Sequence, residues 1–248
     1  KLVSLPHEDS YEKTIEKTAF LVQDSIKRQM VSDVPICTFL SGGVDSSLVS
    51  AVCAAELKKQ GKKLTTFSFD FVNNDKYFKA NSFQPSQDRP FVDRMVEFLD
   101  SDHHYLECGN PDQADRLCDS VLAHDLPAMG DIDSSMLHFC SLVKEHNKVA
   151  LTGECADEIF GGYPWFHKEE CFRAHTFPWT MDLEARKVLL KDDFLDYLKM
   201  DEYVKETYER SVAETPTLSE DSPTEARRRE IAYLNLRWFM QTLLNRMD

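Results

Sequence analysis

A glycine-bearing loop between a short apolar segment and a helical segment most narrowly limits how this chain can fold. Residues 36–40, Ile-Cys-Thr-Phe-Leu, have the length and apolar character of a buried strand. The loop Ser-Gly-Gly-Val-Asp-Ser follows at 41–46, and residues 45–59 have a helical apolar period. A strand that enters a helix through a glycine turn is typical of α/β proteins, in which ligands bind at the carboxyl ends of parallel strands.

Further along the chain, predicted strands alternate with predicted helices until the strands stop. Further strands are predicted at 64–69, 103–107 and 148–152, and helices at 9–31, 91–99, 111–124 and 133–146. Strands that alternate with helices predict an α/β fold with a parallel sheet and helices on both faces. The polar stretch 70–90 predicts a long loop. Since the strand signals stop after about residue 165, we predict an α/β core at 1–165 and a helical part at 166–248.

Composition excludes several classes of protein. The net charge of −14 disfavours non-specific nucleic-acid binding, which requires basic surface. Seven cysteines without a CxxC pair indicate a reduced, cytoplasmic protein. No apolar run approaches the ~20 residues of a membrane span, so neither nucleic acid nor membrane is an expected partner.

The loop at 41–46 has the chemistry of an anion cradle. Gly42 and Gly43 allow the backbone to approach an anion closely, and the N-terminus of the following helix offers free N–H groups. The loop lacks the lysine that positions terminal phosphates in Walker-type loops. It therefore suits a site that holds pyrophosphate as a leaving group, with Asp45 on a metal ion. The alternative is an ordinary strand-to-helix turn.

A second cluster places Glu154, Asp157 and Glu158 directly after the strand at 148–152. Such a density of like charge is costly unless a cation or a substrate amine offsets it, so a metal ligand and a proton-handling group are natural uses. A solvated helix cap is the alternative. His103 and His104 are adjacent on a strand and point to opposite faces, which disfavours one shared metal ion.

Two further groups have ordinary structural interpretations. Asp131 and Asp133, with the two serines that follow, predict a helix cap, although a substrate role stays open. The three arginines at 227–229 predict a solvated helix face, with an interdomain or dimer contact as the alternative.

Together, these motifs resemble a known family. Loop 41–46 matches the SGGxDS signature of the PP-loop ATP pyrophosphatases. The chain as a whole resembles the synthetase domain of the glutamine-hydrolysing asparagine synthetases of the B type. That resemblance rests on Ser-Asp-Val-Pro at 32–35, Leu-Ser-Gly-Gly-Val-Asp-Ser-Ser at 40–47 and Gly-Glu-Cys-Ala-Asp-Glu-Ile-Phe-Gly-Gly-Tyr at 153–163. Weaker support comes from the His-His pair at 103–104 and from the closing residues 243–248.

The resemblance implies an ATP-dependent ligase with ATP and Mg²⁺ as cofactors. The side-chain carboxylate of aspartate would attack the α-phosphorus of ATP to give β-aspartyl-AMP and pyrophosphate, and ammonia would then displace AMP to give asparagine. Glu154 would be the catalytic residue that handles ammonia, and Asp45 and Asp157 would hold the metal. The expected ATP-binding residues are Leu40, Ser41, Gly42, Gly43, Asp45, Ser46, Phe69, Thr152 and Gly153.

The printed sequence departs from the family at both ends. The glutaminase domain that would supply ammonia is not within these residues, so we expect the chain to depend on free ammonia. The helical part is expected to be truncated, and the piece to turn over poorly or not at all. A β-lactam synthetase-like ligase and a catalytically silent nucleotide-binding fragment remain alternatives, and a homodimer is possible.

Overall fold

The chain divides into two compact units. The computed structural model describes residues 2–80, 85–126 and 129–247. Asp9–Glu154 forms one unit, here called the sheet unit, and Cys155–Asp248 with Lys1–Glu8 forms the other, here called the helical unit. This boundary precedes the division predicted at residue 165, and the chain start groups with the helical unit.

The sheet unit contains a parallel sheet of four short strands. In chain order the strands are β1 (Ile36–Phe39), β2 (Thr65–Phe71), β3 (Asp102–Cys108) and β4 (Val149–Leu151). Their order in the sheet is β3-β2-β1-β4, and every neighbouring pair is parallel. Each strand coincides with a predicted one to within about two residues. Because β1 and β2 are central, the loops that follow them lie at the middle of the carboxyl edge.

Helices cover both faces of this sheet. They are α1 (Tyr11–Gln29), α2 (Val44–Lys59), α3 (Asn74–Tyr77), α4 (Arg89–Leu99), α5 (Asn110–Asp115), α6 (Leu117–His124) and α7 (Gly130–Val143). Ile26 of α1 and Cys53 of α2 pack with Ile36 in one core cluster. Val143 of α7 packs with Cys37, the next strand residue, in another. Since successive strand residues point to opposite faces, the predicted α/β class with helices on both faces is confirmed.

Polar side chains line part of the sheet face on which α1 and α2 pack. The hydroxyl of Thr66 lies 3.0 Å from Ser101 Oγ and 2.8 Å from His103 Nδ1. Within the described residues His103 Nε2 is buried without a hydrogen-bond partner, and burial lowers the pKa of this imidazole. His104 points the other way and stacks on Phe67. The prediction that the two histidines occupy opposite faces is confirmed.

The stretch 70–90 is more ordered than predicted. Strand β2 continues to Phe71, helix α3 occupies Asn74–Tyr77, and α4 begins at Arg89. The polar residues form local turns, because Asp70 Oδ1 accepts hydrogen bonds from the Phe71 N–H and from Asn74 Nδ2, each at 2.8 Å. The single long loop was therefore wrong for these parts of the stretch. Residues 81–84 lie outside the described residues.

Two helix predictions need correction on the opposite face of the sheet, where α7 packs. The helix expected at 111–124 is two helices, α5 and α6, which meet at Arg116. Helix α7 begins at Gly130, so Asp131 and Asp133 lie in its first turn and do not cap it. The hydroxyl of Ser134 donates to the Asp131 carbonyl, which is a bond within the helix. The predicted cap at these residues was wrong.

The helical unit is built from short helices. They are α8 (Ala156–Phe160), α9 (Glu169–Arg173), α10 (Glu184–Lys187), α11 (Asp192–Leu198), α12 (Met200–Ala213), α13 (Pro223–Leu234) and α14 (Met240–Met247), with a 3-10 turn at Pro164–Phe166 and a π-helical turn at Asn235–Phe239. Trp165, Cys171 and Ile231 form one core cluster. Phe177 and Leu234 belong to a second. The predicted helical C-terminal part is confirmed.

Arg227 holds this unit together and is not on a solvated face. Its guanidinium donates to the carbonyls of Cys171, Phe172 and Ala174 at 2.7–3.2 Å. It also donates to Tyr208 Oη at 2.9 Å. The solvated-face prediction was therefore wrong at Arg227, because helix α13 turns this side chain towards carbonyls that α9 leaves free.

Among the described residues, no helix is both long enough and apolar enough to cross a membrane.

Candidate functional site

The loop between β1 and α2 is anchored to the neighbouring strand. The Leu40 N–H donates to the Phe67 carbonyl at 2.8 Å, and Ser68 Oγ donates to the Leu40 carbonyl. The Leu40 side chain is only 1% exposed, and both polar groups of its backbone take part in these bonds. These bonds fix the start of the loop at the carboxyl edge of the sheet, the position predicted for it.

Two serine hydroxyls face each other across the loop. Ser41 Oγ lies 3.0 Å from Ser46 Oγ, and Ser46 Oγ also accepts from the Ser41 N–H at 3.2 Å. Ser41 Oγ accepts a further, longer bond from the Gly43 N–H at 3.4 Å. The two hydroxyls therefore shape a narrow turn whose donors can rotate towards an anion.

The glycines leave this turn open towards the helix N-terminus. Gly42 has φ +77°, and a Cβ there would lie 2.6 Å from Phe91 Cβ and 2.8 Å from the Val92 nitrogen. Gly43 is the N-cap of α2, and in the described part of the chain no side chain caps this end. The first N–H groups of α2 consequently point at the loop, as an anion site requires.

The second motif meets the first at Gly153. A Cβ at Gly153 would lie 2.7 Å from the Ser46 nitrogen and 2.9 Å from Asp45 Cβ. Real Cβ atoms essentially never approach so closely, so only glycine fits between β4 and the start of α2. The contact brings the loop after β4 directly against the residues that begin α2. Two motifs more than a hundred residues apart in sequence thus form one edge of the sheet unit.

The remaining predicted residues of the sheet unit lie on its strands or directly after them. Thr152 Oγ1 accepts from the Glu154 N–H at 3.4 Å, and the Glu154 residue is exposed. Phe69 lies on β2 with its ring 4.7 Å from that of Phe39 and stacked 4.4 Å from that of Phe139. Phe69 therefore has a packing role in the second core cluster, whatever it adds to ligand binding.

Asp157 belongs to the helical unit. It lies in the first turn of α8, and its carboxylate packs so closely on Gly162 that a Cβ there would overlap it. The Gly162 N–H donates to the Asp157 carbonyl at 3.1 Å. Glu158, its neighbour, is 2% exposed and accepts a 2.6 Å bond from Tyr163 Oη. The three carboxylates of this motif thus have different surroundings: exposed, partly buried and buried.

The two predicted metal ligands are both carboxylates, the ligand type that Mg²⁺ prefers. Asp45 lies partly exposed in the first turn of α2, in the sheet unit. Asp157 is partly exposed in the helical unit. Their role in holding a metal ion stays a prediction.

The supporting contacts of this site have no clear signal in the sequence. Ser68 holds the Leu40 carbonyl, and the start of α4 backs Gly42. Gly-Gly at a strand-to-helix turn signals that another backbone approaches closely, but it does not say which. Only the packing of α4 beside α2 identifies the partner.

Comparison with known proteins identifies the family of this chain. The asparagine synthase family model matches residues 17–248. Asparagine synthetase [glutamine-hydrolyzing] 3 of Bacillus subtilis (strain 168) is 46% identical over 243 residues, which is 98% of this chain and 39% of that protein. Asparagine synthetase [glutamine-hydrolyzing] of Asparagus officinalis is 27% identical over 215 residues, 75% of this chain and 34% of that protein. The chain thus spans between about a third and two fifths of these curated relatives.

A solved structure with a different activity is also similar. It is the NH3-dependent NAD synthetase from Campylobacter jejuni, with 16% sequence identity over 97% of each chain. Its TM-score of 0.38 is too low to bear on the function of this chain.

Proposed function

The chain belongs to the asparagine synthase family, and we propose that it is the ATP-dependent, amide-forming domain of a glutamine-hydrolysing asparagine synthetase. Its substrates would be ATP, aspartate and ammonia, and its products asparagine, AMP and pyrophosphate. The proposal covers the domain spanned by this chain. In the complete protein, a glutaminase domain would supply the ammonia.

The contact between Gly153 and the start of α2 is the observation that most supports this proposal. A Cβ on Gly153 would lie only 2.7 Å from the Ser46 nitrogen and 2.9 Å from Asp45 Cβ, so the backbone of the second motif lies directly against the start of α2. An adenylating enzyme requires a pyrophosphate cradle and an acid that handles the incoming amine near one phosphorus atom. Since Glu154 follows Gly153 directly, the cradle and the acid are brought to the same edge of the sheet.

The first step forms an acyl adenylate. A carboxylate oxygen of aspartate attacks the α-phosphorus of ATP, the bond from this phosphorus to the bridging oxygen breaks, and pyrophosphate leaves. Ser41 and Ser46 hydroxyls and the N–H groups at the start of α2 would hold the leaving pyrophosphate. The absence of a lysine from this loop agrees with its holding a leaving group instead of positioning a γ-phosphate for transfer.

Ammonia completes the reaction in the second step. Its nitrogen attacks the acyl carbon, AMP leaves, and a proton must be removed from the nitrogen as the amide forms. Glu154 would receive this proton, because a carboxylate that reaches solvent can exchange it with bulk water.

Asp45 and Asp157 would hold Mg²⁺ with the nucleotide. A bound Mg²⁺ would neutralise phosphate charge and so favour departure of pyrophosphate. These two carboxylates would add negative charge beside the phosphates if the ion were not bound, so nucleotide affinity should depend on Mg²⁺.

The cellular setting follows from the cysteines. All seven are free, and four of them are buried. Free thiols in this number favour a reducing compartment, so we place the protein in the cytoplasm.

The direct test is pyrophosphate release by the full-length protein. Release that requires ATP, aspartate and ammonia together, with glutamine able to replace ammonia, is the expected result. A protein that releases pyrophosphate with ammonia but ignores aspartate would have another acceptor, and the β-lactam synthetase-like alternative would then gain support. No release under any combination would favour the silent nucleotide-binding alternative.

A further inference from the structure

A mixed group of metal-binding side chains lies at the end of β3, on residues to which the proposed reaction gives no role. Cys108, Asp112 and His138 each offer one ligand atom, and these atoms all lie within 4.8 Å of one another. Cys108 is buried, His138 is partly buried and Asp112 is exposed. The group therefore has a buried side and a side that opens to solvent.

Three different elements hold these residues in place. Cys108 is the last residue of β3, Asp112 lies in α5 and His138 lies in α7. Asp112 Oδ2 accepts from the Gly109 N–H at 2.9 Å, which fixes its carboxylate above the end of β3. Gln113 Nε2 donates to the carbonyl of Asp131 at 2.7 Å and ties α5 to the first turn of α7. The cluster is thus built by the packing of α5 and α7 on the strand edge.

The existing contacts of these side chains leave ligand atoms available. The Cys108 thiol donates to the Gly109 carbonyl at 3.5 Å, a weak bond that leaves the sulfur lone pairs free. The capping bond uses one oxygen of the Asp112 carboxylate. Among the described residues the His138 ring has an edge contact with Phe139, at 5.9 Å between centroids, and no hydrogen bond. A half-buried imidazole without a fixed partner can turn towards an ion.

We propose that Cys108, Asp112 and His138 bind a thiophilic divalent cation of the zinc class. Thiolate, imidazole and carboxylate are the donors that zinc uses, and three protein ligands leave a fourth position for water. Ligand atoms of a tetrahedral zinc site lie about 3.5 Å apart, so the three side chains need to move together by only about an ångström. On binding, the thiol proton of Cys108 passes to solvent and the sulfur bonds to the ion.

An ion at this position would also act on the neighbouring site. His138 is followed by Phe139, whose ring stacks on Phe69. A bond from His138 to an ion held by β3 would fix α7 on the sheet and with it the stack at the end of β2. The site is independent of the proposed ligase reaction, and its test requires no substrate.

Titration of the metal-free full-length protein with Co²⁺ tests the proposal, since a cobalt–thiolate bond gives a charge-transfer band in the near ultraviolet. We expect one equivalent to saturate this band and Zn²⁺ to abolish it. Cys108→Ser should lose the band, and Asp112→Asn and His138→Gln should weaken binding by roughly 10-fold or more. Cys118→Ser removes an exposed thiol on α6 and should leave the titration unchanged.

Several results would overturn the proposal. One is a wild-type titration without a saturable thiolate band, and another is a band that survives Cys108→Ser. Because Cys108 is buried, Cys108→Ser could fail to fold. Asp112→Asn, at an exposed residue, then tests the proposal. If Zn²⁺ raises the Tm of Asp112→Asn and His138→Gln as much as that of the wild type, these residues do not bind the ion.

Discussion

At the scale of single residues, Gly153 connects the two motifs that define the site. Its Cα lies so close to the start of α2 that a side chain has no room beside Ser46 and Asp45. The same holds for Gly42 beside Phe91 and Val92. Any residue other than glycine would clash at these two positions. The glycines are therefore needed for the packing of this site as well as for its chemistry.

Replacing Gly153 with alanine should damage both stability and nucleotide binding. The added methyl group forces the start of α2 away from β4, which should lower the free energy of unfolding by about 1–3 kcal/mol. Urea unfolding and calorimetric titration with ATP measure the two effects. Gly130→Ala is the matched control, since its Cβ would lie 3.5 Å from Leu117 Cδ2, an ordinary contact. Wild-type stability and ATP affinity in Gly153→Ala would show that the contact is not needed.

Asp45→Asn should weaken binding of MgATP while the fold persists. The amide keeps the size of the carboxylate but removes its charge, and loss of a direct ligand should cost at least the roughly 10–100-fold that loss of a supporting partner costs. Titration at several Mg²⁺ concentrations measures the effect. An unchanged dependence of ATP affinity on Mg²⁺ would remove Asp45 from the metal site.

Glu154→Ala should separate binding from amide formation. The exposed side chain has no part in the core, so ATP affinity and Tm should remain those of the wild type. Asparagine formation from ammonia should fall by roughly 10²–10⁴-fold, the contribution usual for a positioned acid or base. Amide formation at the wild-type rate in this variant would contradict the role given to Glu154.

At the scale of elements, the sequence predicted where helices and strands lie better than which of their faces are buried. All four strands were found, because short apolar runs between helical periods are distinctive. Helix α2 was located correctly, but Leu48, one of its apolar residues, is 43% exposed. Ser50 is instead buried, 2.8 Å from Thr38 Oγ1. A buried serine paired with a strand threonine has no signature in an apolar pattern.

The same limit explains the cluster at the end of β3. Cys108 and Asp112 are close in sequence, yet His138 joins them only through the packing of α5 against α7. No spacing rule connects these three residues. Conversely, the anion cradle could be predicted because its parts are contiguous in the sequence, from Ser41 to Ser46.

The buried polar group of Thr66, Ser101 and His103 should make the sheet unit sensitive to acid. Burial and the neighbouring His104 lower the pKa of His103. The unfolded chain takes up this proton near the ordinary value of roughly 6.5, so stability is fully present above that pH and falls as the pH drops towards the lowered value. Urea unfolding across this range should show the loss, and His103→Asn should reduce it. His175→Gln, at an exposed histidine, is the control, and an equal loss in His103→Asn would exclude His103 as the cause.

At the scale of the whole molecule, the chain combines a sheet unit with a unit of short helices. The sequence predicted both parts, but it placed the boundary about ten residues later than the division that the compact units show. The difference arises at the second motif, which runs through the boundary. Gly153 and Glu154 close the sheet unit, while Asp157 and Glu158 open the helical unit. The motif therefore begins in one unit and ends in the other.

If aspartate is activated as its AMP ester, one oxygen of its side-chain carboxylate must end in AMP, and isotope labelling shows whether it does. Aspartate carrying heavy oxygen in its side-chain carboxylate is incubated with ATP and ammonia and the full-length protein, and the AMP is analysed by mass spectrometry. We expect AMP to gain a labelled oxygen, because the bond between acyl carbon and carboxylate oxygen breaks when ammonia attacks. Unlabelled AMP, or ADP with labelled phosphate, would contradict it.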